Sequence, residues 1–161
     1  MAEHPDKAGR IFEVDDIRVT FETPDGAVEA VRGVSMHVGR GETVAVVGES
    51  GSGKSQIMMA AMGLLANNGR AAGAVRYRGR DILNVSVAEL NRLRGRKITM
   101  IFQEPMTSLD PLYTIEDQLS EPLRVHGGFD RQAARARILE LLNLVQIPNA
   151  AERMRSYPHE L

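Results

Sequence analysis

The chain has 161 residues, a length that suits one domain, and its 43% hydrophobic and 25% charged content is that of a globular protein. A net charge of −1 gives no global field for nucleic acid or anionic lipid. With no cysteine, disulfides, thiolate metal sites and a thiol nucleophile are excluded, and no window approaches the roughly 18 apolar residues of a membrane span.

Residues 1–10 are polar and mixed in charge, and read as a loose leader without the apolar core of a signal peptide. Ile11 to Phe21 alternate in part, as a half-buried strand does. Thr23-Pro24-Asp25-Gly26 carries proline and glycine where a turn favours them, and Val28 to Val38 reads as the returning strand. Gly39-Arg40-Gly41 then connects tightly into Val44, Ala45, Val46 and Val47, an apolar run expected to form a buried strand.

Directly after that run comes Gly48-x4-Gly53-Lys54-Ser55, the spacing of a phosphate-binding P-loop. Each residue type has a chemical reason. Gly48, Gly51 and Gly53 permit positive φ and remove the β-carbons that would block a phosphate. The backbone N–H groups of residues 50 to 55 can then converge on a β-phosphate, helped by the positive end of the following helix. Lys54 supplies a mobile charge for the β- and γ-phosphates, and the Ser55 hydroxyl is a hard oxygen ligand for Mg²⁺. A dinucleotide fold is disfavoured, because the glycines run G-x-x-G-x-G and a Lys-Ser pair has no role there.

The P-loop helix is expected over 54–65, with Ile57, Ala60, Ala61, Leu64 and Leu65 on its core face. Asn67-Asn68-Gly69 is expected to end it, before a short strand at Ala74–Tyr77 and a turn at Gly79. Ser86-x-x-Glu89 is a capping-box pattern that predicts a helix over Val87 to Arg94. Arg92, Arg94, Arg96 and Lys97 read as a solvated helix end. Lys97 to Phe102 is expected as a second buried strand, ending at Gln103-Glu104. Beyond a loop at Met106 to Pro111 the pattern becomes helical. Thr114 caps a helix to about Arg124, with Pro122 expected to kink or end it, and Gly127-Gly128 breaks the chain. Asp130 caps a helix to Val145, and a short helix is expected over Ala150 to Arg155. His4, His37, His126 and His159 show no metal-ligand spacing.

The segments VTFETPDGAVEAVRGVS, VGESGSGKSQ, ITMIFQEPMTSLDP and YPHEL closely resemble the ATP-binding subunit of bacterial oligopeptide and dipeptide ABC importers, from about Ile11 to Leu161. The resemblance implies an α/β fold of the P-loop NTPase, ABC type. It has an antiparallel β layer and P-loop core over 11–106 and a helical subdomain over 107–161, incomplete at its C-terminal end. It implies ATP and Mg²⁺ as cofactors. Gly48, Glu49, Ser50, Gly51, Ser52, Gly53, Lys54 and Ser55 would hold the phosphates, with the Glu49 side chain facing away on charge grounds, and Gln56 would reach the α-phosphate through its N–H. Phe21 takes the place of the aromatic that stacks on adenine; it is phenylalanine where many relatives have tyrosine, and a π-face suffices. Lys54 and Gln103 are the implied catalytic residues, and Ser55 and Gln103 the implied Mg²⁺ ligands.

The implied partners are membrane-spanning permease subunits, met by the segment after Gln103 and the helices to Val125, and a second ATPase subunit, identical or homologous, in a head-to-tail pair. Neither nucleic acid nor lipid insertion is implied, and the implied location is the cytoplasmic face of the inner membrane. The family continues after YPHEL into a Leu-Ser-Gly-Gly-Gln signature, a Walker B aspartate and a catalytic glutamate, whereas this sequence stops at Leu161. The expectation is therefore the first half of a peptide-importer ATPase, inactive in coupled hydrolysis and poorly stable by itself. The alternatives are a non-hydrolysing nucleotide-binding fragment, or the ATPase of another importer such as one for nickel. A DNA-repair or translation ABC protein is disfavoured by the single P-loop and short spacing.

Overall fold

In a computed structural model of the chain, which describes residues 9–103 and 109–160, the turn at Thr23–Gly26 closes a long antiparallel hairpin of β1 (Arg10–Thr23) and β2 (Gly26–Gly39). The Thr23 hydroxyl donates to the Gly26 carbonyl at 2.7 Å, sealing the turn. The expectations placed on residues 1–8, on the 104–108 stretch with Glu104 and on Leu161 lie outside the described residues. β1 alternates only in part because it bulges at Asp15–Asp16, where Asp16 has φ 46° and the pairing register shifts. Val14 and Ile17 are both buried as a result, three positions apart.

On the other side of β1 lies β3 (Gly69–Tyr77), also antiparallel, followed by the short β4 (Arg80–Asp81), so the sheet order is β2-β1-β3-β4. β3 starts earlier than the expected Ala74. Gly73, at φ 105°, faces the bulge, and a β-carbon there would overlap the Asp16 carbonyl oxygen. Against this sheet packs α1 (Lys54–Ala61), which meets β1 and β2. Its buried Ile57, Ala60 and Ala61, with Met62, join Val14, Ile17, Val19, Val31 and Val75 in one apolar core. α1 is shorter than the expected 54–65. Gly63, at φ 61°, turns the chain while the N–H groups of Gly63 and Leu64 donate to the carbonyls of Ala60 and Met59. Leu64 and Leu65 therefore fall outside the helix, and Leu64 is exposed. α2 (Val87–Asn91) begins with the capping box that Ser86 and Glu89 predict.

Two expected strands are not strands. Val44–Val47 carries no ladder pairing among the described residues, and Val44, Val46 and Val47 are exposed. Lys97–Phe102 makes one isolated bridge, Arg94 with Ile98, and Ile101 is 92% exposed. Both runs have the near-continuous apolar pattern of strands sandwiched on two faces. Such a pattern needs a neighbouring strand, and the four described strands pair only with one another.

The chain divides into two compact units between Arg92 and Leu93. The second is helical: α3 (Ile115–Gly127), α4 (Arg131–Leu144), α5 (Ala150–Arg153) and a closing 3₁₀ turn at Pro158–Glu160. α3 continues through Pro122 to the left-handed Gly128, past the expected stop near Arg124. Its first-turn donors are all satisfied. Asp117 N–H bonds the Thr114 hydroxyl, and the N–H groups of Ile115 and Glu116 donate to the carbonyls of Ser156 and Met154. Asp130 caps α4 by accepting from Ala133 N–H at 2.8 Å. Ile115, Ala134, Ile138, Ala150 and Met154 form the core of this unit, whereas Val145 is exposed at the α4 C-cap.

The capping box has a pH consequence. Glu89 accepts from the Ser86 hydroxyl and backbone N–H and pairs with Arg80 at 2.6 Å. The Ser86 side-chain bond first, then its backbone bond, then the arginine charges hold the Glu89 carboxyl below its ordinary value. A lowered folded-state value means that the stabilisation is fully present above the ordinary carboxyl pKa and is lost as pH falls through the folded value. Following Glu89 by NMR titration should give a depressed midpoint in the parent chain and a midpoint nearer the ordinary value in Ser86→Ala.

Candidate functional site

The Gly48–Ser55 loop leads into α1, and its geometry begins at Gly53. This residue is the α1 N-cap, at φ 91°, and provides no side-chain cap. A β-carbon on Gly53 would overlap the Ala30 carbonyl oxygen and come within 3.0 Å of Val31 Cγ2, so the loop end sits directly on the backbone of β2. Ile57 N–H is the first helical donor, reaching the Gly53 carbonyl at 3.2 Å. The N–H groups of Lys54, Ser55 and Gln56 precede it at the positive end of the helix, which favours an anion.

Lys54 folds back over the loop. Its ammonium donates to the carbonyls of Gly48 at 2.8 Å and Glu49 at 2.6 Å, and to the Ser52 hydroxyl at 3.3 Å. Ser52 N–H donates to the Glu49 carbonyl at 3.2 Å, closing the loop on itself. The charge is thus held at the loop by neutral oxygens, from which a phosphate could draw it by a stronger, charge-assisted bond. Of the three glycines expected at positive φ, Gly51 and Gly53 are there and Gly48 is not. At Gly48 a β-carbon would lie 2.8 Å from the Ser52 hydroxyl oxygen, a contact that rotation of the Ser52 side chain would relieve. Ser50 and Ser55 are exposed in the same stretch, and Gln56 is half-buried.

Phe21 lies in the same unit, on β1 between Val28 of β2 and Gly69 of β3. It follows buried Val19 by two residues and so shares the sheet face on which α1 packs. Val19 pairs with Val31, the residue under Gly53, which puts Phe21 about 7 Å further along the strand towards the hairpin turn. Its ring is half-buried and covers Gly69, whose β-carbon would come within 2.8 Å of it. Gln103 belongs to the second unit and is exposed; the buried strand expected to end at it is the Lys97–Phe102 run, whose one bridge joins Ile98 to Arg94. The first unit therefore assembles Phe21, Gly48 to Ser55 and Gln56.

Two residues outside the sequence-derived set enter the geometry. Ala30 provides the seat for Gly53, a main-chain role that leaves no signal in side-chain pattern. Gln118 ties down the loop before α3; its place four residues after the Thr114 cap was the available clue. Beside that loop the second unit has an open hollow of about 1400 Å³, with Tyr113, Leu119, Pro122, Val125 and Phe129 in its lining.

A P-loop seated on an antiparallel layer, with a separate helical unit, is the arrangement of an ATP-binding cassette. The family model described as "ABC transporter" matches residues 31–161, and the chain belongs to that family. It is 49% identical over 156 residues to the oligopeptide transport ATP-binding protein OppD of Salmonella typhimurium, covering 97% of this chain and 47% of the relative. It is 42% identical over 153 residues to the dipeptide transport ATP-binding protein DppD of Bacillus subtilis, covering 94% of this chain and 46% of the relative. The chain thus spans about half the length of the curated relatives it matches. Among solved structures, the dimeric ABC transporter cassette MJ0796 superposes with TM-score 0.79 at 24% identity, over 93% of this chain and 62% of that one. A post-hydrolysis dimer of the same cassette bound to ADP and Pi gives 0.78. These likenesses establish the α/β cassette fold.

Gly53 makes the seat testable. Gly53→Ala should destabilise the loop by about 1–3 kcal/mol, from a left-handed backbone combined with a clash against main chain. Amide exchange at Ile57, whose donor reaches Gly53, should quicken while the β1–β2 hairpin amides keep their protection.

Proposed function

We propose that this chain forms the nucleotide-binding part of an ABC transporter ATPase that powers import of oligopeptides or dipeptides. The observation that carries the binding reading is the loop itself. Lys54 is held at the loop by the carbonyls of Gly48 and Glu49, directly ahead of a helix start whose N-cap has no side-chain cap. On this reading ATP lies with its phosphates along Gly48 to Ser55, including the backbone of Glu49, Ser50, Gly51, Ser52 and Gly53, and with Gln56 N–H near the α-phosphate. Lys54 leaves its carbonyls for the β- and γ-phosphates, and Phe21 stacks on adenine from the same sheet face.

The donor set fits Mg²⁺ brought by the nucleotide. Ser55 offers one neutral hydroxyl in the first helical turn, too little to hold the ion without phosphate oxygens. When bound, the ion would neutralise charge between the β- and γ-phosphates. For Gln103, as second ligand and water-orienting residue, the support is the resemblance of its ITMIFQEP segment. The peptide assignment is supported by the names of the OppD and DppD relatives. The partners on this reading are membrane-spanning subunits, docking on the segment before and along α3, and a second ATPase subunit in a head-to-tail pair. The assembly lies at the cytoplasmic face of the membrane; among the described residues no helix is long and apolar enough to cross it.

Titration with a fluorescent ATP analogue and Mg²⁺ tests the binding site. Lys54→Ala should weaken affinity by roughly ten- to a hundredfold, the range of a lost charged hydrogen bond. Unchanged binding in that variant would overturn the site. Phe21→Ala should weaken it by about tenfold and Phe21→Trp should restore it, as expected for stacking on a base. Peptide-stimulated phosphate release by the full-length polypeptide with its membrane subunits, abolished in Lys54→Ala, tests the transport reading; binding without any release would favour a non-hydrolysing module, and stimulation by nickel alone another importer.

A further inference from the structure

The ring that the nucleotide reading sets against adenine, Phe21, pairs with Gly69 at the end of the β1–β3 ladder. The next rung is made by Asn68. Glu22 N–H donates to the Asn68 carbonyl at 2.9 Å, and the Asn68 side-chain Nδ2 donates back to the Glu22 carbonyl at 2.7 Å. A hydrogen-bonded antiparallel pair exchanges two main-chain bonds; at this rung a side-chain amide supplies the second. One residue therefore holds both polar main-chain groups of the neighbour of Phe21.

Asn68 is itself fixed. The Gly69 N–H closes a turn on the Ala66 carbonyl at 2.8 Å, and this turn follows α1, whose end is tied by Leu64 N–H to the Met59 carbonyl at 2.8 Å. The chain that starts at the phosphate loop and runs through α1 thus returns to the strand that carries Phe21. Gly69 completes the arrangement. A β-carbon there would lie 2.8 Å from Phe21 Cε1 and 3.1 Å from the Ala66 carbonyl oxygen, so the ring rests on bare main chain and a methyl group would push it aside. A ring held in place beforehand meets a base without an ordering cost. The donor at position 68 is specific to an amide. Aspartate keeps the shape but, when ionised, has no donor and sets a carboxylate against the Glu22 carbonyl; alanine has neither donor nor acceptor.

We propose that Asn68 is a positioning residue, whose amide fixes the main chain at Glu22 and with it the Phe21 ring, so that recognition of the base, but not of the phosphates, depends on it. This rests on the nucleotide reading above.

The test uses the full-length polypeptide as parent, Asn68→Asp, Asn68→Ala and Gly69→Ala, with Phe21→Ala as reference. In both Asn68 variants the Glu22 amide should exchange roughly three- to tenfold faster, the size of one lost hydrogen bond, while the core amides of Val19 and Ile57 keep their protection. Affinity for a fluorescent ATP analogue with Mg²⁺ should fall by roughly three- to tenfold, whereas inorganic tripolyphosphate, which has the phosphates and no base, should displace the analogue with a constant within about twofold of the parent's. Gly69→Ala, which moves the ring and leaves the amide, should show the same loss confined to the base. Adding Asn68→Ala to Phe21→Ala should cost little more than Phe21→Ala alone, because both act through one ring. Unchanged exchange at Glu22 overturns the clip. Faster exchange with unchanged ATP affinity overturns the positioning role, as do an equal loss for tripolyphosphate and a full additional loss in the double variant. If Phe21→Ala itself leaves ATP affinity unchanged, the stacking reading fails and the positioning of a base with it, whereas the exchange result still decides whether Asn68 holds the strand end. Should Asn68→Ala lose its core protection, Asn68→Asp and Gly69→Ala carry the test.

Discussion

The first unit depends on a contact without side chains, the approach of Gly53 to the backbone of Ala30. It fixes where the phosphate loop ends, where α1 begins, and how the loop stands to Phe21 on the sheet. A methyl group would part the two backbones, and the left-handed φ of Gly53 would resist it as well. The apolar core beneath, from Ile57 to Val19 and Val31, holds α1 against the sheet. That core supplies adhesion, about 1.5–3 kcal/mol for each large side chain fully removed from water, but little direction. Direction comes from the backbone contact.

In the second unit the equivalent constraint is the start of α3. The donors that any helix leaves unpaired are satisfied there by the Thr114 hydroxyl and by the carbonyls of Met154 and Ser156. Chain segments some forty residues apart are joined by main-chain bonds rather than by side-chain affinity. Met154, fully buried, closes the same junction from the apolar side. The turn that Gln118 clips precedes this anchored helix start, so it is held from both ends.

Much of this was legible in the residues. The hairpin, its turn, the capping box at Ser86, the Thr114 and Asp130 caps and the Gly-Lys-Ser loop all follow from local chemistry, and all are present. The failures share a cause. Val44–Val47 and Lys97–Phe102 have the composition of sandwiched strands, yet a strand is made by its neighbours, and no local pattern states whether those are near. Pro122 is expected to kink or end the helix, but α3 runs through it from the Thr114 cap to Gly127. Within the site, the residue types of the loop were readable, while the Ala30 seat and the present partners of Lys54 were not, since main-chain oxygens are common to every residue.

The Gly53 seat also bears on how the chain is made. Synthesis delivers β1 and β2 first, and their pairing is local, joined by a four-residue turn, the kind of contact that forms quickly. Ala30 is therefore synthesised before Gly53, but a two-stranded hairpin is only marginally stable by itself, so the seat becomes firm when α1 packs on it and β3 pairs on the far side of β1.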